Sequence, residues 1–412
     1  MDVYEVYKPI IYNDFFKEER KKRNLTLQDL SKQIHYSLGL LSQLENDTDL
    51  LNNGKTSILL IFYGYDIEYL NRFDKELNRL MNDFTNSILY INDEMVITNY
   101  KKLENFFLPY KNSILYTGFY LCDFIYNLYF FDYAKANYCY NQLSIDHYYS
   151  DTYFALLHLY LARYFIHLSK YDLAINHLTL SVYNTISNTD IIGFSNASLS
   201  ACYMHKKEIG LAMKCSEEAI LCFTSTNNYR RLLNTNINKG NQLLKIKDYQ
   251  GALKLNNKVL ETAKKLNYHF EIRALLNNNA YIYMLQNKYE DALACFEEMP
   301  KEEMKEKHYC SYVVCLVETG REEEALSLST IWVQKCVNPY LKATFKAYHQ
   351  YLMNHDLRKL NTALIKIVRN FKDSIDMFEI EYLYVLIAHH YKKLNMFKSC
   401  MEYLEKLREL DF

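Results

Sequence analysis

Lys247-Asp-Tyr249-Gln-Gly-Ala252 and Asn287-Lys-Tyr289-Glu-Asp-Ala292 are two copies of one six-residue pattern. Around each copy, over Arg231–Val259 and Arg273–Met299, the chain reads as helix, short turn and helix. Gly240 stands twelve positions before Ala252, and Ala280 twelve before Ala292. A small residue in each member of a pair lets two backbones approach closely, as an antiparallel helix hairpin requires. The register continues outward. Ala136, Ala174, Ala212, Ala252, Ala292, Ala325, Ala363 and Cys400 follow one another at spacings of 38, 38, 40, 40, 33, 38 and 37. A helix pair recurring at this period cannot bury its apolar face alone, so the pattern predicts an all-α chain with about eight stacked helix pairs over 113–412.

These positions resemble the tetratricopeptide repeat family, most closely at Ala162/Phe165/Ala174/Leu178, Ala280/Tyr283/Ala292/Phe296 and Tyr384/Ala388/Tyr391/Cys400/Leu404. The resemblance implies a right-handed superhelical solenoid whose first helices line the concave side. Periods above the usual repeat of about 34 residues imply longer helices or turns.

Composition agrees with a helical chain. Half of the 412 residues are apolar, while only nine are Gly and four Pro. A formal net charge of −1 argues against a basic nucleic-acid coat, so any DNA binding must come from local geometry. The cysteines at 122, 139, 202, 215, 222, 295, 310, 315, 336 and 400 form no C-x-x-C pair, and read as reduced core thiols. The start, Met-Asp-Val-Tyr-Glu, has neither the basic region nor the apolar core of a secretion signal, so none is expected. The most apolar run, Gly118–Phe131, is short for a membrane span and contains Asp123 and Asn127. A cytoplasmic protein is expected, with no membrane partner. No Gly-rich loop follows a strand, no Ser/His/Asp or Cys/His set assembles, and His389 and His390 have no ligand at i+4. We therefore expect no enzyme activity, no metal and no cofactor.

Residues 1–66 have a different rhythm. Asn13 is placed to cap a helix running to Arg23 and ended by Asn24; Thr26 caps Leu27–Ile34, and Ser37 caps Leu38–Glu45. The His35-Tyr36 joint has the length of a helix-turn-helix turn. Leu25 to Asn46, with Leu59–Asp66 as a last helix and its exit, resembles the XRE-type helix-turn-helix family. The resemblance implies DNA reading at the start of the third helix. Leu38 and Gly39 occupy positions usually polar there, and Asp47 one commonly Gly. Ser37, Ser42 and Gln43 remain for bases, with Asn46 and the Arg20, Lys21, Lys22, Arg23 cluster for phosphates. Eight Lys/Arg against nine Asp/Glu over residues 1–65 also fit a helix-turn-helix turned protein-docking module. Residues 67–112 lack the repeat register and read as a helical connector.

The remaining constellation is a set of asparagines. At about 100° per residue, Asn234, Asn238 and Asn241 share one face of the helix carrying Gly240. Asn277, Asn278 and Tyr281 lie in corresponding directions around Ala280, and Tyr160 and Arg163 around Ala162. A side-chain amide donates and accepts together, which suits an extended peptide backbone; Arg163 suits a ligand carboxylate and Tyr281 an apolar side chain. The competing reading is compositional, since the chain is rich in asparagine.

Domain order and these groove residues resemble the RNPP and Rgg-type peptide-sensing regulators of low-GC Gram-positive bacteria. The resemblance implies a homodimeric transcriptional regulator that binds double-stranded operator DNA through its helix-turn-helix and a short signalling peptide in its repeats. The alternatives are a non-enzymatic protein-protein interaction scaffold with a degenerate helix-turn-helix, or an accessory inhibitor of a kinase or phosphatase.

Overall fold

A computed structural model describes residues 6–8, 10–46, 54–143, 149–184 and 188–410. Asp47 lies outside the described residues. The chain divides into two compact units, 1–235 and 236–412. This division follows packing and falls inside a repeat helix, whereas the sequence divides at 66 and 112.

The first unit begins with α1 (Ile10–Lys22), α2 (Leu27–Ile34), α3 (Leu38–Leu44), α4 (Lys55–Phe62), α5 (Tyr69–Leu89) and α6 (Asp93–Phe107). Pairs then follow: α7 (Thr117–Tyr129) with α8 (Tyr133–Gln142), α9 (Asp151–His167) with α10 (Tyr171–Asn184), and α11 (Thr189–His205) with α12 (Ile209–Ser225). Helix α13 (Tyr229–Lys245) crosses into the second unit. There it is followed by α14 (Tyr249–Lys265), α15 (His269–Leu285), α16 (Tyr289–Glu298), α17 (Glu306–Glu318), α18 (Glu322–Lys335), α19 (Pro339–Asn354), α20 (Leu357–Phe371), α21 (Met377–Lys393) and α22 (Phe397–Leu410). From α7 onward the described helices form eight pairs.

The caps explain several boundaries. Thr26 and Asp29 form a reciprocal capping box, and Ser37 Oγ accepts from Leu40 N, as the sequence suggests. Asn13 does not cap: α1 starts three residues earlier, and Asn13 is buried with its amide unpaired. The last helix of the small domain is also earlier than expected. It runs over Lys55–Phe62 and is stopped by Gly64 at φ +82°.

A Gly-poor chain makes its turns with left-handed non-Gly residues. Ser169, Lys207, Asn227, Lys247, Asn267, Asn287 and Asn395 all have φ between 54° and 64°. The amide of the next residue bonds back to the carbonyl five positions earlier, as in Asp248 N to Leu243 O and Lys288 N to Tyr283 O, both 2.9 Å. This closes each helix without glycine, and asparagine tolerates the conformation best. Part of the asparagine content is thereby structural.

The register residues Ala136, Ala174, Ala212, Ala252, Ala292 and Ala325 are completely buried. Ala363 is only half-buried because Leu364 takes the inward place, and Cys400 is half-buried on α22, where Tyr403 alone is buried. Gly240 faces Asn256 of α14: a Cβ would stand 2.3 Å from Asn256 Oδ1. Asn256 Nδ2 donates to Asn279 Oδ1 at 3.0 Å, so it cannot move without cost. Gly240→Ala should therefore destabilise by about 1–3 kcal/mol from overpacking, despite alanine's helix propensity. Urea unfolding of both proteins checks this.

Candidate functional site

In the second unit a cavity of about 250 Å³ opens among the first helices of successive pairs. One wall carries Asn241 from α13 and Asn277, Asn278 and Tyr281 from α15; the other carries Lys307 and Ser311 from α17, Thr344 from α19, and Asp376, Phe378, Glu379 and Tyr382 at and on α21. The rest of the lining is mainly apolar, including Leu244, Met284, Val314 and Leu386. A few convergent polar groups in an apolar recess are the usual make-up of a ligand site.

Asn278 Nδ2 donates to Asn241 Oδ1 at 2.8 Å, which orients both amides. Asn277 makes no hydrogen bond among the described residues, so its amide is available. The Tyr281 hydroxyl stands 2.9 Å from the Phe378 carbonyl and 3.1 Å from Glu381 Oε2, donating to one at a time. Burial, reinforced by Glu381, pushes it far above the ordinary phenol range. Tyr281 therefore ties α15 to α21 as well as lining the recess. Burial and then Asp376 push the Glu379 carboxyl up. Lys307 has no ion-pair partner among the described residues.

Of the second-unit residues expected to hold a ligand, Asn238 is exposed and does not line the cavity. Sequence reasoning did not find Lys307, Ser311, Thr344, Asp376 or Glu379. In the first unit, Asn234 and Arg163 are half-buried, while Tyr160 is 1% exposed. Tyr160, expected to face the groove, is packed on α9 edge-on to Phe194.

Around α2 and α3, Ser37, Ser42, Gln43 and Asn46 are exposed to solvent, although Asn46 Nδ2 donates to Ser42 O at 2.7 Å. Arg20 is not free for a phosphate. It pairs bidentately with Glu45 at 2.7 and 2.8 Å, donates to Leu25 O, and is 12% exposed. Arg23 bonds Glu19 and the Tyr63 carbonyl, and Lys22 pairs with Glu19. This network joins α1 to α3 and to the end of α4. Lys21 alone of the four is exposed without a partner among the described residues. Leu38, at the start of α3, is 45% exposed.

No protein-family model matches the sequence, and no curated protein matches it. Solved structures do. A Rap protein complexed with Competence and Sporulation Factor matches at TM-score 0.62 and 15% identity, over 82% of this chain and 97% of that one. The apo quorum sensor NprR from B. thuringiensis matches at TM-score 0.62 and 15% identity, over 84% and 99%. The fold is that of the Rap and NprR quorum sensors. Aspartyl phosphate phosphatase F from Bacillus subtilis shares it at TM-score 0.52 and 15% identity, over 81% and 93%. Among the described residues, no helix is long and apolar enough to cross a membrane, and no three His, Cys, Asp or Glu residues converge as metal ligands.

Proposed function

We propose that this chain is a homodimeric, peptide-sensing transcriptional regulator. Its repeats hold the main chain of a short signalling peptide against Asn241, Asn277 and Asn278. The observation that carries this reading is the second-unit recess with an unspent amide at Asn277, in a fold that NprR also displays with its cognate peptide NprX. Binding favours one arrangement of the repeats and shifts the population that engages DNA. The α3 surface of Ser37, Ser42 and Gln43 reads an operator, with Lys21 on phosphate. So little positive charge in one reading head favours a pair of heads over one.

A random pentapeptide pool passed over the full chain, with retained species identified by mass spectrometry, tests the peptide arm. Retention no greater than on an unrelated protein of similar size would remove it. In the DNA arm, duplex from beside the gene should outcompete random duplex, and Lys21→Gln should weaken both, lowering the salt slope by about one. Equal binding of both duplexes would favour the second reading, a docking module. The exposed Leu38 and the internally spent Arg20 support that alternative.

A further inference from the structure

In the first unit, α9, α11 and α13 are the first helices of consecutive pairs, and Arg163, Phe194 and Arg231 occupy one row across them. The Arg231 guanidinium carbon lies 3.7 Å from the centre of the Phe194 ring, and that of Arg163 5.1 Å from it. Tyr160 stands edge-on to the same ring, at 6.3 Å and 88°. Two cations thus lie against one aromatic ring, close enough for Arg231 to feel the charge of Arg163, and neither has an ion-pair partner among the described residues. Asp190, whose charge Arg231 feels, is already occupied by Thr226 Oγ1 at 2.7 Å and Asn228 Nδ2 at 3.1 Å.

Arg231 is partly satisfied: Nε donates to Leu89 O at 3.0 Å and Nη2 to Ile88 O at 2.9 Å, at the end of α5. Its Nη1 has no hydrogen bond among the described residues. Arg163 makes no hydrogen bond at all among them, and its Nε is buried without an acceptor. The Tyr160 hydroxyl is likewise unbonded there. Stacking on Phe194 accounts for the position of the two arginines, but not for a buried guanidinium N–H left unpaired, which an internal fold avoids.

We propose that Arg163, Arg231 Nη1 and the Tyr160 hydroxyl form a carboxylate-binding site that takes the C-terminal carboxylate of a peptide. The planar guanidinium fork matches a carboxylate bidentately. Half-exposure of Arg163 leaves the site reachable. Burial, with Arg163 adding like-charge repulsion, pulls Arg231 down to about 10, a cost that an entering anion reverses. The source of the carboxylate rests on the peptide reading; the anion site itself does not.

The full chain and its Arg163→Gln variant are exposed to two pentapeptide pools, one with free-acid and one with amidated C-termini, and to inorganic phosphate. Phenylglyoxal modification of Arg163 is followed by peptide mapping. The acid pool should protect Arg163 and the amide pool should not. Retention of the acid pool should fall about ten- to a hundred-fold in Arg163→Gln. Without ligand, that variant should melt no lower than wild type, because it removes a repulsion. Equal retention of both pools by wild type would overturn the carboxylate site while leaving peptide binding standing. Protection by phosphate with neither pool retained would keep the anion site and overturn its assignment to a peptide terminus. A lower melting temperature in Arg163→Gln with acid-pool retention unchanged would assign Arg163 to packing on Phe194 and end the proposal.

Discussion

Asn277→Ala is expected to weaken peptide binding by roughly five- to a hundred-fold while leaving the melting temperature within experimental error. The amide of Asn277 lines the second-unit cavity and makes no internal hydrogen bond, so its loss costs the folded protein nothing there. A peptide backbone group bound to it would instead be left desolvated and unpaired, at about 1–3 kcal/mol. Alanine is also the better helix former. Asn278→Ala should act on both quantities, since Asn278 also orients Asn241. Asn238→Ala should change neither, because Asn238 is exposed and off the cavity. Calorimetry with a peptide recovered from the pool, alongside melts of all three variants, checks the pattern. Equal losses at Asn238 and Asn277 would point to a diffuse surface effect and against the cavity.

What the sequence made legible was local. Helix period, the caps at Thr26 and Ser37, and the small-residue register all depend on residues within one turn or one hairpin. The near wall of the cavity was legible for the same reason: the direction of Asn241, Asn277, Asn278 and Tyr281 around their helices follows from a neighbouring Gly240 or Ala280. The far wall was not. Thr344 and Glu379 reach the same recess only after small rotations accumulate over several helix pairs, and no pattern near them records that sum. Arg20 misled in a related way. Its cluster looks like a phosphate patch because the carboxylate that consumes it, Glu45, arrives from a helix 25 residues on. Asparagine frequency carried a mixed signal, since Asn227, Asn267 and Asn287 serve turns while Asn277 faces a cavity.

Glu318→Gln should destabilise the second unit by about 3–5 kcal/mol, the cost of breaking a buried pair while leaving its partner in place. Glu318 ends α17, and its side chain is 3% exposed. It accepts from His390 Nε2 at 2.9 Å, Lys393 Nζ at 2.6 Å and His389 Nε2 at 3.3 Å, all from α21. His390 is fully buried, and its Nδ1 faces Asn361 Oδ1 at 2.8 Å, so α20 joins the same network. Burial alone would push the Glu318 carboxyl up, but the bonds from His389, His390 and Lys393 outweigh it and hold the group well below the ordinary carboxylate range. A carboxyl whose folded pKa is depressed contributes its stability above the unfolded value, and loses it as pH falls toward the folded one. Wild type and Glu318→Gln should therefore differ most at neutral pH and converge through the acid range below about pH 4. Glu322→Gln, which removes an exposed carboxylate 3.7 Å from His355, should cost less than about 1 kcal/mol at any pH. Denaturant unfolding across pH distinguishes these outcomes. A gap between wild type and Glu318→Gln that stays constant from neutral to acid pH would show that the carboxylate's charge is not what holds α17 to α21.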